Sequence, residues 1–131
     1  MKTALDEYRT FFREFRQTFN TTGAIAPSGK SLAKAIVTPL REHSKPSRIL
    51  EIGAGTGAVT KEIIRHVRGD DWFDAVELND RFVDVLNYRF QHESAWKKVA
   101  DRCRVLHMAV QDLHPEELYD YIICGVPFNN F

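Results

Sequence analysis

Glu51-Ile52-Gly53-Ala54-Gly55-Thr56-Gly57 is the stretch whose residue types and spacing could do chemistry. Glu51 stands two positions before the first of three alternate glycines, and a second carboxylate, Glu77, follows Gly57 by 20 residues. Alternate glycines permit positive φ and let a ligand approach the backbone closely, and a helix that follows them offers unpaired N–H groups. A carboxylate at the end of a buried strand is costly without a partner, so Glu51 points to a ligand group or an orphan backbone donor. Glu77 sits at the separation where a doubly wound fold turns a carboxylate toward a ribose diol, whose hydroxyls make charge-assisted bonds to it. This chemistry is the holding of a nucleotide-like ligand.

Such residues need a frame of parallel strands whose carboxyl ends meet at one crevice. Arg48 to Ile52, with Ile49, Leu50 and Ile52, reads as a strand covered on both faces. Residues 58–67 read as a helix, Gly69-Asp70-Asp71 breaks it, and residues 72–77 form a second strand ending at Glu77. Asp80 is placed as the N-cap of a helix over 81–91 whose inward residues are Phe82, Val85, Leu86 and Phe90. A third strand over 104–108, a helical turn at 115–118 and a fourth strand over 119–124 complete the pattern. Upstream, Ser28 caps a helix with Leu32, Ala35, Ile36 and Leu40 inward, kinked or ended by Pro39, and His43 reads as an exposed imidazole. Residues 3–19 read as an amphipathic helix in which Leu5, Tyr8, Phe12, Phe15 and Phe19 form a stripe, widened by Phe11 and bordered by Lys2, Arg9, Arg13 and Arg16. That pattern by itself favours a helix packed on the sheet, with a helix lying on a lipid surface as the alternative.

The chain has 131 residues, 18 basic and 18 acidic, a hydrophobic fraction of 44% and a charged fraction of 27%. These values imply one ordinary globular domain and argue against a dedicated nucleic-acid binder, which carries a basic excess. Cys103 and Cys124 lack metal-ligand spacing and read as reduced thiols of a cytoplasmic protein, with no metal implied. No signal peptide and no membrane-spanning run are evident, so any membrane contact is peripheral.

Gly53, Gly55 and Ala58 also satisfy the looser G-x-G-x-x-G/A pattern of dinucleotide sites. Glu51, the third glycine at 57 and the ending Gly125-Val126-Pro127-Phe128-Asn129-Asn130-Phe131 tip the balance: the chain resembles class I S-adenosylmethionine-dependent methyltransferases. Within them it resembles bacterial phosphatidylethanolamine N-methyltransferases and, more distantly, ribosomal RNA adenine dimethylases. The resemblance implies an α/β, Rossmann-like doubly wound parallel sheet in the order 3-2-1-4, with a helical cap over 1–45 and a core over 46–131. It implies S-adenosylmethionine as cofactor, held at Gly53, Ala54, Gly55 and Gly57, with Glu51 near the ammonium group, Glu77 on the ribose, and Leu78, Val110, Asp112 and Gly125 around the remainder. Ala109 or Asp112 takes the adenine amine, according to register. Asn129, with Pro127 and Phe128, holds the acceptor amine.

The class I fold continues through three further strands, so the resemblance makes the chain a fragment or shortened form whose fourth-strand edge a second copy covers. With the resemblance, the helix over 3–19 becomes the contact to a phospholipid headgroup or membrane surface, at the inner membrane face. The competing readings are RNA adenine N6-methylation and a cofactor-binding or dimerising module without turnover.

Overall fold

The computed structural model describes residues 29–125. Its centre is a four-stranded parallel sheet in the order β3-β2-β1-β4, built from β1 (Arg48–Ile52), β2 (Trp72–Glu77), β3 (Cys103–His107) and β4 (Tyr121–Cys124). The crossovers are α3 (Ala58–Ile64) between β1 and β2, and α4 (Asp80–His92) with the short α5 (Ser94–Lys97) between β2 and β3. α1 (Gly29–Ile36) and α2 (Thr38–Arg41) precede the sheet.

Strand side chains alternate between faces, and the register fixes which residues share one. Glu51 pairs with Ala75 on one side and Ile123 on the other, so these share a face with Ile49, Phe73 and Tyr121. This face packs against Val59 and Ile63 of α3, Leu86 of α4, Trp96 of α5 and the stripe Ala33, Val37 and Leu40, forming the core. The other face carries Leu50, Asp74, Arg104 and Ile122, the last 63% exposed.

The fold agrees with the sequence expectation, and five local details differ. The inward residues of α4 are Val83, Leu86 and Phe90, the last packed partly buried against the core, while Val85 is exposed; the cap of α4 is Asn79, whose side-chain oxygen accepts from the Arg81 and Phe82 N–H groups. The first helices bury Ala33, Val37 and Leu40, with Ile36 packed beside them, so Ile36 and Leu40 face inward as expected while Ala35 is exposed, and Pro39 opens α2. Residues 115–118 form bends rather than a helical turn. His43 is buried, not exposed: its Nε2 lies 2.8 Å from Asp71 Oδ2 and its Nδ1 2.6 Å from the Leu40 carbonyl. Asp71 also accepts from the Ser47 and Arg68 N–H groups, so the residue read as a helix breaker ties α2 to the start of β1. Burial alone would raise the Asp71 carboxyl, but these backbone donors and His43 hold it below its ordinary value. Residues 3–19 and Ser28 lie outside the described residues.

Candidate active site

The glycine turn leaves β1 and is pinned to the end of β2, because the Gly53 and Ala54 N–H groups both donate to the Val76 carbonyl, at 2.9 and 3.1 Å. Gly53, Gly55 and Gly57 have φ of 70, 60 and 100°, the left-handed region that only glycine adopts freely. Their reasons differ. A Cβ on Gly55 would meet nothing within 4 Å, so its surroundings are open, whereas one on Gly57 would come within 2.5 Å of the Trp96 ring. The first glycine of this pair leaves room for a ligand, and the second lets α3 pack.

Glu51 is completely buried on the core face, where Oε1 accepts from the Thr60 hydroxyl of α3 and Oε2 has no partner among the described residues. Burial is the main force that pushes its carboxyl up to about 8; the Thr60 hydroxyl opposes the rise and the charge of Glu77 adds to it. Gly125 closes this corner, since a Cβ there would overlap Glu51 Oε2. Its N–H donates to the Ile52 carbonyl at 2.8 Å.

Glu77, 1% exposed, takes the Gly55 N–H on Oε1 and the Asn79 N–H on Oε2, each at 2.7 Å. Both oxygens keep a lone pair, but the turn covers them, so a diol reaches Glu77 only by displacing or joining these donors. Beside it lies a cleft of about 170 Å³ lined by Ile52, Gly53, Val76, Leu78, Met108, Ala109, Val110 and Gln111. Leu78 is half exposed at its mouth.

Among the sequence-selected residues, the structure therefore brings together Glu51, Gly53, Ala54, Gly55, Gly57, Glu77, Leu78, Val110 and Gly125 at the carboxyl ends of β1, β2 and β4. Asp112 goes elsewhere. The 3-10 turn Val110–Asp112 sends it into a separate groove with Trp72, Arg104 and Tyr119, leaving Ala109 in the cleft. Pro127, Phe128 and Asn129 lie outside the described residues. Thr60 is not among the residues singled out from the sequence; its signal is a polar β-branched residue beside Val59 and at helical spacing from Ile63 and Ile64, which are buried.

The family described as methyltransferase domain matches residues 49–131, more than half of the chain. The chain belongs to the methyltransferase domain family. It is 26% identical over 128 residues to an ornithine lipid N-methyltransferase of Singulisphaera acidiphila, covering 97% of this chain and 65% of that protein. It is 37% identical over 90 residues to a tRNA1(Val) (adenine(37)-N6)-methyltransferase of Aliivibrio salmonicida, covering 68% of this chain and 35% of that one. The chain thus spans between about a third and two-thirds of these relatives. Among solved structures, a glycopeptide N-methyltransferase complexed with sinefungin superposes with a TM-score of 0.57 at 21% identity, covering 76% of this chain and 37% of that one, which is a likeness of fold.

The resemblance read from Glu51 to Gly57 is thereby borne out, as is the sheet order. The residues of this methyltransferase domain also fit S-adenosylmethionine. An unpartnered buried carboxylate oxygen suits an ammonium group, the space at Gly55 suits close backbone approach, and an apolar cleft beside Glu77 suits a purine next to its ribose.

Proposed function

We propose that this domain binds S-adenosylmethionine across Gly53–Gly57 and methylates the amine of a phosphatidylethanolamine-type phospholipid. The observation that carries the cofactor half is the orphan Oε2 of Glu51. A buried carboxylate with one hydroxyl partner is satisfied by a cation, and the methionine end of the cofactor carries one. Glu77 takes the ribose hydroxyls, and Leu78, Ala109 and Val110 flank the adenine. Similarity along 97% of the chain to an ornithine lipid N-methyltransferase supports the lipid amine.

The cofactor supplies a methyl group on a sulfonium. When bound, that group would serve in-line displacement by the lone pair of a deprotonated amine, with S-adenosylhomocysteine as the leaving group and the amine proton passing to water. The protein's contribution is positioning and exclusion of water, worth on the order of 7–11 kcal/mol when geometry is held. In this reading Asn129 orients the amine, with Pro127 and Phe128 shaping its approach. Residues 3–19 rest on the headgroup layer of the inner membrane face, and a second copy covers the edge of β4. Among the described residues no helix is long and apolar enough to cross a membrane.

The second reading is RNA adenine N6-methylation, favoured by the 37% identity to the tRNA enzyme and disfavoured by equal numbers of acidic and basic residues. Calorimetry with S-adenosylmethionine and S-adenosylhomocysteine tests the cofactor: binding of both is expected, and binding of neither overturns the proposal. Radiolabelled methyl transfer to phosphatidylethanolamine vesicles, with tRNA in parallel, tests the acceptor. Label in tRNA alone would replace the first reading with the second.

A further inference from the structure

The glycine turn has a back as well as a front, and the back belongs to α4. Arg89 lies one turn from the end of that helix, 33 residues from Thr56, whose carbonyl its Nη1 meets at 2.9 Å. The guanidinium is held in this pose from two other sides. Its carbon stands 4.2 Å above the Trp96 ring, and its Nε pairs with Glu93 at 2.5 Å. Trp96 is itself buried and braced edge-on by Phe90 at 4.8 Å. The same layer excludes any side chain at Gly57, where a Cβ would fall 2.5 Å from Trp96, 3.1 Å from Arg89 Nη1 and 3.2 Å from Leu86.

We propose that Arg89 is a positioning residue for the cofactor: holding the Thr56 carbonyl from behind, it sets the path of the turn between Gly55 and α3. A guanidinium suits this task better than an ammonium because its planar fork stacks on the indole while two different edges donate. Arg89 meets the turn at the Thr56 carbonyl and acts through it. This rests on the cofactor reading given under Proposed function.

The test is calorimetry of the full chain with S-adenosylhomocysteine, beside thermal unfolding and amide exchange of residues 55–58 in the free protein. Arg89→Met keeps the apolar stem over Trp96 and removes the donor. Losing one charge-assisted bond of this kind should raise the Kd about tenfold, and kcat should change by less than about twofold where KM rises by the tenfold. Arg89→Lys, which keeps one donor without the fork, should recover about threefold of that loss. Faster exchange at residues 55–58 in Arg89→Met, with the thermal midpoint little changed, would support the proposal. An unchanged Kd in the folded variant would overturn it, as would Arg89→Lys failing to recover any affinity. Should Arg89→Met not fold, Arg89→Lys alone decides by the same two readouts. If wild type does not bind the probe, the cofactor reading fails on its own, and unaltered amide exchange in the variant is then what overturns the role of Arg89.

Discussion

Two carboxylates, Glu51 and Asp74, sit on adjacent strands, both with no exposed surface, and their partners could hardly differ more. Asp74 occupies the face away from the core helices and accepts four donors: Arg104 Nε at 3.0 Å and Nη2 at 3.2 Å, Trp72 Nε1 at 2.9 Å and the Tyr119 hydroxyl at 2.5 Å. Glu51, on the core face, has the Thr60 hydroxyl alone among the described residues. A fully paired buried charge is a structural element, and a half-paired one is a cost that folding does not recover by itself. Within a single sheet, one acid holds strands and loop together, and the other keeps an unpartnered oxygen at the place where the proposed function puts a cation.

The largest expected effect follows from the Glu51 proton. Its folded-state value is raised from 4.5 to about 8, so the contribution is present in full below the unfolded value and is lost as pH rises through this window. Wild-type stability should therefore fall, relative to Glu51→Gln, by on the order of 4 kcal/mol between pH 4.5 and 8 and then level off. Urea midpoints of the two proteins across that range measure it. The glutamine variant should at the same time lose about 30-fold or more in affinity for S-adenosylhomocysteine, because it no longer offers a negative partner. Parallel stability profiles would show that Glu51 is paired in the folded protein, and the contrast with Asp74 would collapse.

Next comes Asp74→Ala, which removes four acceptor contacts at once and strands the donors. Breaking a buried pair costs about 3–5 kcal/mol, and the half-exposed Arg104 side chain, which water can reach, places this one at about 3 kcal/mol. Affinity for S-adenosylhomocysteine should stay within about twofold, since no Asp74 partner lines the cleft beside Glu77. A loss of affinity matching that of Glu51→Gln would mean that the two acids serve one site.

What the sequence disclosed of this contrast was uneven. β1, β2 and the turn are legible because the apolar run from Ile49 to Ile52 leads straight into glycines whose spacing has few other uses, and Glu51 is conspicuous as an acid in an apolar strand. Asp74 was not, because the donors that make it structural come from β3 and from the loop before β4, 30 and 45 residues away. His43 was misjudged for the same reason, its partner Asp71 lying 28 residues on. Val85 was placed inward because it extends an apolar run, but the helix presents Val83 and Leu86 to the sheet, and 85 falls on the opposite side. The resemblance leaves Ala109 and Asp112 as alternatives beside the adenine, because the sequence does not show the 3-10 turn Val110–Asp112 that keeps Ala109 at the cleft and carries Asp112 to another groove.

The smallest effects sharpen the comparison most, since they remove one hydroxyl from each acid. Tyr119→Phe deletes one donor of four at Asp74, and the remaining three keep the charge paired, so a loss of about 1 kcal/mol is expected. Thr60→Val deletes the one donor Glu51 has, with nearly the same volume. Because that hydroxyl favours the ionised form, its removal drives the Glu51 carboxyl further up and extends the pH window in which Thr60→Val and the double variant Thr60→Val/Glu51→Gln diverge. At pH 6 the valine variant should lose about 1 kcal/mol, because the protonated acid tolerates an apolar neighbour. At pH 9 its loss should exceed that of Tyr119→Phe, because an ionised Glu51 would then have no donor left. Equal losses at both pH values would place the Glu51 proton elsewhere, since a carboxyl that never ionises in this range has no reason to respond to Thr60 differently at pH 6 and pH 9.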